Sequence, residues 1–270
     1  MRAVYLDLDG TLLGRGASLL HDGEGAVTLL GARALEACLR AGAEIVLMSG
    51  RRRANVAEDA RLMGQNSYIY EIGSVLVLDG EEHWLGGELR PGERSVYQQI
   101  EDAGAPALLL DRYAGRLEYH EPWHLGREIS HLFRGLLDIE EANGLLADQG
   151  HANMRLIDNG VVSRRSPALA ALDQVRCYHL IPAGASKAGA VAAHMRARGI
   201  DAADTLAVGD SREDLAVAEH VGELWLVANA LERDPSMREA IEASAGNVHV
   251  AEAGYGAGVY EAVITALARR

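Results

Sequence analysis

Short apolar runs, each ending on a small or polar residue, alternate with longer amphipathic stretches along both ends of this chain. Residues 3–8, centred on Ala3-Val4-Tyr5-Leu6, predict a strand, 24–41 a helix ending at Gly42, and Ile45-Val46-Leu47-Met48 a second strand running into Ser49-Gly50-Arg51. A helix over 53–63 stops at Gly64, and Tyr68-Ile69-Tyr70 opens a third strand. Val75–Leu78 and Glu82–Leu85 flank Asp79-Gly80, a dipeptide that favours a hairpin turn. From Ser186 the alternation resumes, with a helix over 187–198, a strand Thr205–Val208 into Gly209-Asp210, a helix over 212–221 and a strand Leu224–Val227. Asp234-Pro235 reads as a helix start. Strands this uniformly apolar suit a parallel sheet covered on both faces. The fold class expected is α/β, with a doubly wound (Rossmann-like) parallel-sheet core.

The middle of the chain breaks the rhythm. Ala107–Leu110 is wholly apolar, Asn153–Ile157 runs into Asp158-Asn159-Gly160 as a second hairpin signal, and helices are expected over 126–147 and 166–173 before a strand at Arg176–Ile181. Residues 80–184 therefore read as an inserted α+β domain, and 1–79 with 185–270 as the core.

Composition narrows the function. A net charge of −13 argues against nucleic acid, whose phosphates need a basic stripe. No apolar run approaches the ~20 residues needed to span a bilayer. The first strand starts at once, so no secretory signal is expected and the cytoplasm is the natural location. Cys38 and Cys177 read as small apolar residues.

The chemistry gathers at strand ends. Asp7 and Asp9, with Gly10 and Thr11, close the first strand, and two adjacent carboxylates repel unless a cation lies between them or one keeps a proton. A calcium loop of the EF-hand type is excluded, because the ligand and glycine spacings do not match. Ser49 follows the second strand, Asp210 and Asp214 the strand at 205–208, and Lys187, the only lysine among 26 basic residues, opens a helix. Doubly wound sheets bind ligands at the carboxyl ends of their strands. These are the parts needed to hold Mg²⁺ against a phosphate and attack the phosphorus. His120-Glu121-Pro122-Trp123-His124 mimics a zinc-protease motif, but Pro122 forbids the continuous helix that motif needs.

With Asp-x-Asp-Gly-Thr, Ser49, Lys187 and Gly-Asp-x-x-x-Asp in this order, the chain resembles the haloacid dehalogenase superfamily of phosphatases. The insertion resembles the C2-type, subclass B cap, and Tyr70-Glu71-Ile72-Gly73 sits where that subgroup often has Glu-Asn-Gly. The resemblance implies that Asp7 is the nucleophile of an aspartyl-phosphate route and that Asp9 is the acid and base. It implies Mg²⁺ held by Asp7, Asp9 (through its carbonyl), Asp210 and Asp214, and phosphate or substrate binding by Thr11, Ser49, Gly50, Lys187 and Asn229. The cap's candidate substrate contacts are Arg112, Tyr113, His120, Trp123 and Arg155, with Arg116 and Arg127 beside them. Glu213 stands where the family usually has Asn, and Ile72 where the subgroup has Asn. The implied function is Mg²⁺-dependent hydrolysis of a small phosphate monoester, a sugar phosphate first and phosphoglycolate next. The alternatives are a phosphomutase of the same fold and a catalytically silent sugar-phosphate-binding protein.

Overall fold

In the computed structural model, which describes residues 1–162, 166–244 and 246–269, twelve strands divide between two sheets. They are β1 (Ala3–Asp7), β2 (Glu44–Met48), β3 (Tyr68–Tyr70), β4 (Val75–Leu78), β5 (Glu81–Trp84), β6 (Leu117–Tyr119), β7 (His131–Gly135), β8 (Met154–Val161), β9 (Arg176–Pro182), β10 (Thr205–Gly209), β11 (Glu223–Leu226) and β12 (Val248–Val250). The larger sheet runs β12-β11-β10-β1-β2-β3-β4-β5, parallel from β12 to β3 and antiparallel through the β3-β4-β5 meander. The expected α/β core is thus present. Leu78 pairs with Glu81, so Asp79-Gly80 makes the expected two-residue turn and the larger sheet extends to residue 84.

Alternation along β1 explains both faces. Val4 and Leu6 join Ile45, Leu47, Leu206 and Val208 under the helices Leu30–Arg40 and Tyr255–Ala268. Ala3 and Tyr5 join Val46, Met48 and Ala207 under the helix Lys187–Arg198. Successive side chains point to opposite faces, so a strand buried on both sides reads as an unbroken apolar run.

The smaller sheet is antiparallel, in the order β6-β7-β9-β8. Its apolar face packs with Val56, Tyr70, Val75 and Val77 of the larger unit in one continuous cluster. Several expectations fail here. The helix expected over 126–147 is instead β7 followed by a helix Ile139–Asp148. Asp138 starts that helix by accepting hydrogen bonds from the amides of Glu140 and Glu141. The segment 166–173 forms only one 3₁₀ turn, Pro167–Leu169, and Ala107–Leu110 lies in a helix, Ala105–Arg112. Asp158-Asn159-Gly160 is no hairpin, because β8 continues through it with a bulge.

The first long helix begins at Leu30 rather than residue 24, since the Asp22 carboxylate takes the amides of Glu24, Gly25 and Ala26 and folds them into a turn. The helix expected over 212–221 is one turn, Arg212–Leu215, followed by a 3₁₀ turn, Ala216–Glu219. Asp234-Pro235 precedes a helix, Met237–Glu242, without capping it directly: Asp234 accepts from the amide of Ser236. His120–His124 lies in turns rather than a helix, so the two imidazoles do not share a helix face.

Candidate active site

β1 and β10 are neighbours, and the chain departs from β1 in one direction to β2 and β3 and later in the other to β10 and β11. The crevice at this reversal is where a doubly wound sheet leaves strand ends uncovered. Asp7 is the last residue of β1, Ser49 follows β2 and Asp210 follows β10. All three come to one place.

Lys187 closes the group. Ser186 caps its helix by accepting from the amide of Gly189 (2.9 Å), which sets Lys187 at the first helical position. Its Nζ donates to Asp7 Oδ1 at 2.6 Å and to Asp214 Oδ1 at 2.7 Å, with the side chain 1% exposed. Asp214 serves two purposes. Its Oδ2 accepts from the amides of Asp210 and Ser211 and from the Ser211 hydroxyl, capping the turn it begins, while Oδ1 faces the ammonium. Asp214 is wholly buried, so it is no mere solvated carboxylate of a first helical turn.

The charges do not balance. Burial drives the Asp7 carboxyl above its ordinary range, the Lys187 ammonium opposes this, and Asp214 adds to the rise. Asp210 is pushed well up by burial and then by Asp7 and Asp214. Burial would lower Lys187, but Asp214 and Asp7 together hold it charged and above its usual value. One ammonium is shared among more carboxylates than it can neutralise. Oxygens of Asp7, Asp210 and Asp214 lie within 4.8 Å of one another, the one such cluster of potential ligands among the described residues. A hard, all-oxygen donor set with excess negative charge fits Mg²⁺. The Thr11 hydroxyl, buried in the same loop, has no partner among the described residues, a further polar group awaiting one.

Gly10 makes room for this arrangement. Its φ is +89°, and a Cβ there would meet Asp210 Oδ2 at 2.2 Å. Asn229, expected at the phosphate, instead has its amide tied to backbone: Nδ2 donates to the Gly10 carbonyl (2.8 Å) and Oδ1 accepts from the Tyr255 amide (2.8 Å). It holds the loop in place. Ser49 is 1% exposed, its Oγ accepting from the amide of Arg51 (3.1 Å).

Arg51 is a residue that sequence reasoning passes over. Its Nε and Nη2 each donate to the Asp9 carboxylate at 2.6 Å, and Nη1 reaches Asp59 at 2.7 Å. The tripeptide Ser49-Gly50-Arg51 is the available signal, but only folding brings residue 51 to residue 9. From the inserted segment, Arg127 donates to the Gly50 carbonyl at 3.0 Å and lies 3.7 Å from Glu71. Arg233 completes the rim, 3.3 Å from Asp210 Oδ2.

The expected cap contacts divide. Arg112 is paired with Glu141 and stacked on Tyr113, whose ring is buried in the cap's apolar cluster; no contact among the described residues brings either to Asp7, Ser49 or Lys187. The short helix that carries Arg112 packs its apolar side inward, which sends the guanidinium outward. His120 and Trp123 pack edge to face at 5.0 Å, with Trp123 half-exposed. Arg155 donates to the Ala185 carbonyl (2.7 Å) at the junction, and its charge opposes the burial that raises Glu213.

The chain is similar to several known proteins. The family model of haloacid dehalogenase-like hydrolases matches residues 171–241. A phosphoglycolate phosphatase of Methanoculleus marisnigri is 26% identical over 267 residues, covering 97% of this chain and 95% of the relative. One from Archaeoglobus fulgidus is 26% identical, covering 93% of this chain and 95% of its own. Among solved structures, a Synechocystis sucrose-phosphatase with sucrose and phosphate superposes with a TM-score of 0.68 at 15% identity, over 98% of each chain. A subclass IIB sugar phosphatase superposes with a TM-score of 0.61 at 17% identity, over 100% of this chain and 98% of its own. Over residues 171–241, which carry Lys187, Asp210 and Asp214, the chain is similar to the haloacid dehalogenase-like hydrolases, and its α/β fold is that of the sugar phosphatases above.

Proposed function

We propose that the protein hydrolyses a small phosphate monoester through an aspartyl-phosphate on Asp7. The observation that carries this reading is the placement of Lys187 between Asp7 and Asp214 beside Asp210, at the ends of β1 and β10. Asp7 ends β1 at the crevice, and its oxygen forms the new bond to phosphorus as the ester oxygen leaves. Asp9, at the open edge of the site, gives its proton to that leaving oxygen. It then takes a proton from the water that attacks phosphorus and releases Asp7 and inorganic phosphate. Lys187 and Ser49 hold the transferring oxygens, with Lys187 acting as a point charge. Asp7, Asp210, Asp214 and the carbonyl of Asp9 would hold Mg²⁺, which when bound would supply neutralising charge for the phosphoryl group. The segments 1–79 and 185–270, with β5 (Glu81–Trp84) added to their sheet, serve as the catalytic unit and the rest of 80–184 as the substrate-selecting cap. A sugar phosphate is the leading substrate class and phosphoglycolate the next.

Phosphate release from p-nitrophenyl phosphate and from a panel of small phosphate esters, with Mg²⁺ and with chelator, tests the reading. Metal-dependent release is expected. Absence of release from every ester with Mg²⁺ present would overturn it.

A further inference from the structure

Three cap elements converge on Gly50, the residue after Ser49. A Cβ built on Gly50 would lie 3.1 Å from His179 Nε2 and 3.2 Å from Asn159 Nδ2, while Arg127 holds the Gly50 carbonyl. The sequence pattern assigns Asn159 to a turn. It reaches this place because β8 bulges: Asp158 pairs with Tyr178 and Val161 with Arg176, so two residues on β8 oppose one on β9.

The bulge is pinned from both sides. Asp158 Oδ1 accepts from the Gly160 amide (2.9 Å), and its Oδ2 pairs with Arg176, which also binds Asp234 of the core at 2.8 Å. Such a brace fixes where the Asn159 side chain begins, and a re-aimed side chain is a usual consequence of a bulge. The Asn159 amide is half-buried, and its side chain makes no hydrogen bond to any described residue. Among the described residues it is a fixed position whose amide donor and acceptor have no partner.

We propose, resting on the phosphatase reading, that Asn159 is a specificity-determining residue that binds a hydroxyl group of the leaving alcohol next to the phosphoryl position. A carboxamide both donates and accepts, as a hydroxyl does, whereas it offers a carboxylate no charge. Its surroundings favour the same ligand. Burial, together with the charges of Arg127 and Lys187, pushes the neighbouring His179 imidazole well below its usual range, leaving it neutral. The cap's cation on the Gly50 loop, Arg127, is already committed to Gly50, Ser130 and the Trp123 carbonyl. On the core side burial raises the Glu213 carboxyl, at the position where the resembled family usually has Asn. The Asn159 carboxamide and the neutral His179 imidazole complement the hydroxyls of a polyhydroxylated leaving group, and neither offers a charge to a carboxylated one such as glycolate.

The test compares kcat/KM for a set of pentose and hexose phosphates, 2-phosphoglycolate and p-nitrophenyl phosphate in the wild type and in Asn159→Ala. The wild type should prefer a sugar phosphate over 2-phosphoglycolate. Asn159→Ala should lower kcat/KM for that sugar phosphate about 10- to 100-fold more than for p-nitrophenyl phosphate, which has no hydroxyl to bind. Asn159→Gln keeps the amide but moves it by a methylene, and should show the same selective loss in a fully folded protein. Preference for 2-phosphoglycolate, or an equal loss on all substrates, overturns the proposal while leaving the phosphatase reading intact. Wild-type protein that hydrolyses no ester defeats both.

Discussion

Lys187 Nζ stands 2.6 Å from Asp7 Oδ1, joining two residues 180 apart in the chain at the centre of the site. The contact accounts for a lysine at this position in a protein whose other basic residues are all arginine. A compact ammonium on a flexible stem fits between two buried carboxylates, where a planar guanidinium does not. Lys187→Met leaves Asp7 and Asp214 without their shared counter-ion, and should destabilise the metal-free protein by roughly 3–5 kcal/mol in denaturant unfolding. Lys187→Arg should fold yet lose about 100-fold or more in kcat. Wild-type turnover in Lys187→Arg would remove the ammonium from the reaction.

Asp7→Asn should abolish turnover without unfolding the protein, because it deletes one of three mutually repelling carboxylates. Its melting temperature in chelator should equal or exceed that of the wild type. Intact-mass measurement of acid-quenched wild type during turnover should find one added phosphoryl group, and the Asp7→Asn variant should carry none. Turnover retained by the variant would assign the nucleophile elsewhere.

Asp9 is held at its two oxygens by Arg51, itself braced by Asp59. If this brace orients the acid, Arg51→Ala should lose about tenfold more activity on an alkyl phosphate than on p-nitrophenyl phosphate, whose leaving group departs without a proton. Equal losses on both substrates would make Arg51 a structural residue only.

Metal should stabilise the fold as well as serve the reaction. The excess negative charge on Asp7, Asp210 and Asp214 is relieved by a divalent cation, so Mg²⁺ at 100 times its dissociation constant should add about 2.7 kcal/mol to unfolding. Asp210→Asn should reduce that gain. An identical Mg²⁺ response in both proteins, followed by thermal melts, would place the ion elsewhere.

Far from the site, Glu44 supplies a pH handle. Partial burial pushes its carboxyl up, but hydrogen bonds with His194, Ser67 and Arg198 outweigh that and hold it at about 2, against an ordinary 4.5. The lowered value means that its stabilisation is fully present above about pH 4.5 and is lost as pH falls toward 2. After allowance for solvent screening it amounts to on the order of 1 kcal/mol. Glu44→Gln should therefore melt lower than wild type at neutral pH, with the gap closing across that window. A gap that stays constant down to pH 2 would show that the carboxylate contributes nothing.

The amino-acid pattern by itself determined the core. Near-continuous apolar strands such as Val4–Leu6 and Leu206–Val208 can be satisfied only inside a sheet covered on both faces, and the polar residues at their ends fall at the crevice whatever follows. Tertiary structure decided the rest. His131–Gly135 is a strand rather than helix because β6 and β9 lie on either side of it, and a five-residue run carries too few periods to tell the two apart. Asp158–Gly160 is a bulge rather than a turn because Arg176, which also binds Asp234 of the core, holds Asp158 in place. Lys187 meets Asp7, Arg51 meets Asp9 and Asn159 meets Gly50 across long sequence distances. Such pairings depend on where whole elements pack, which local spacing does not encode.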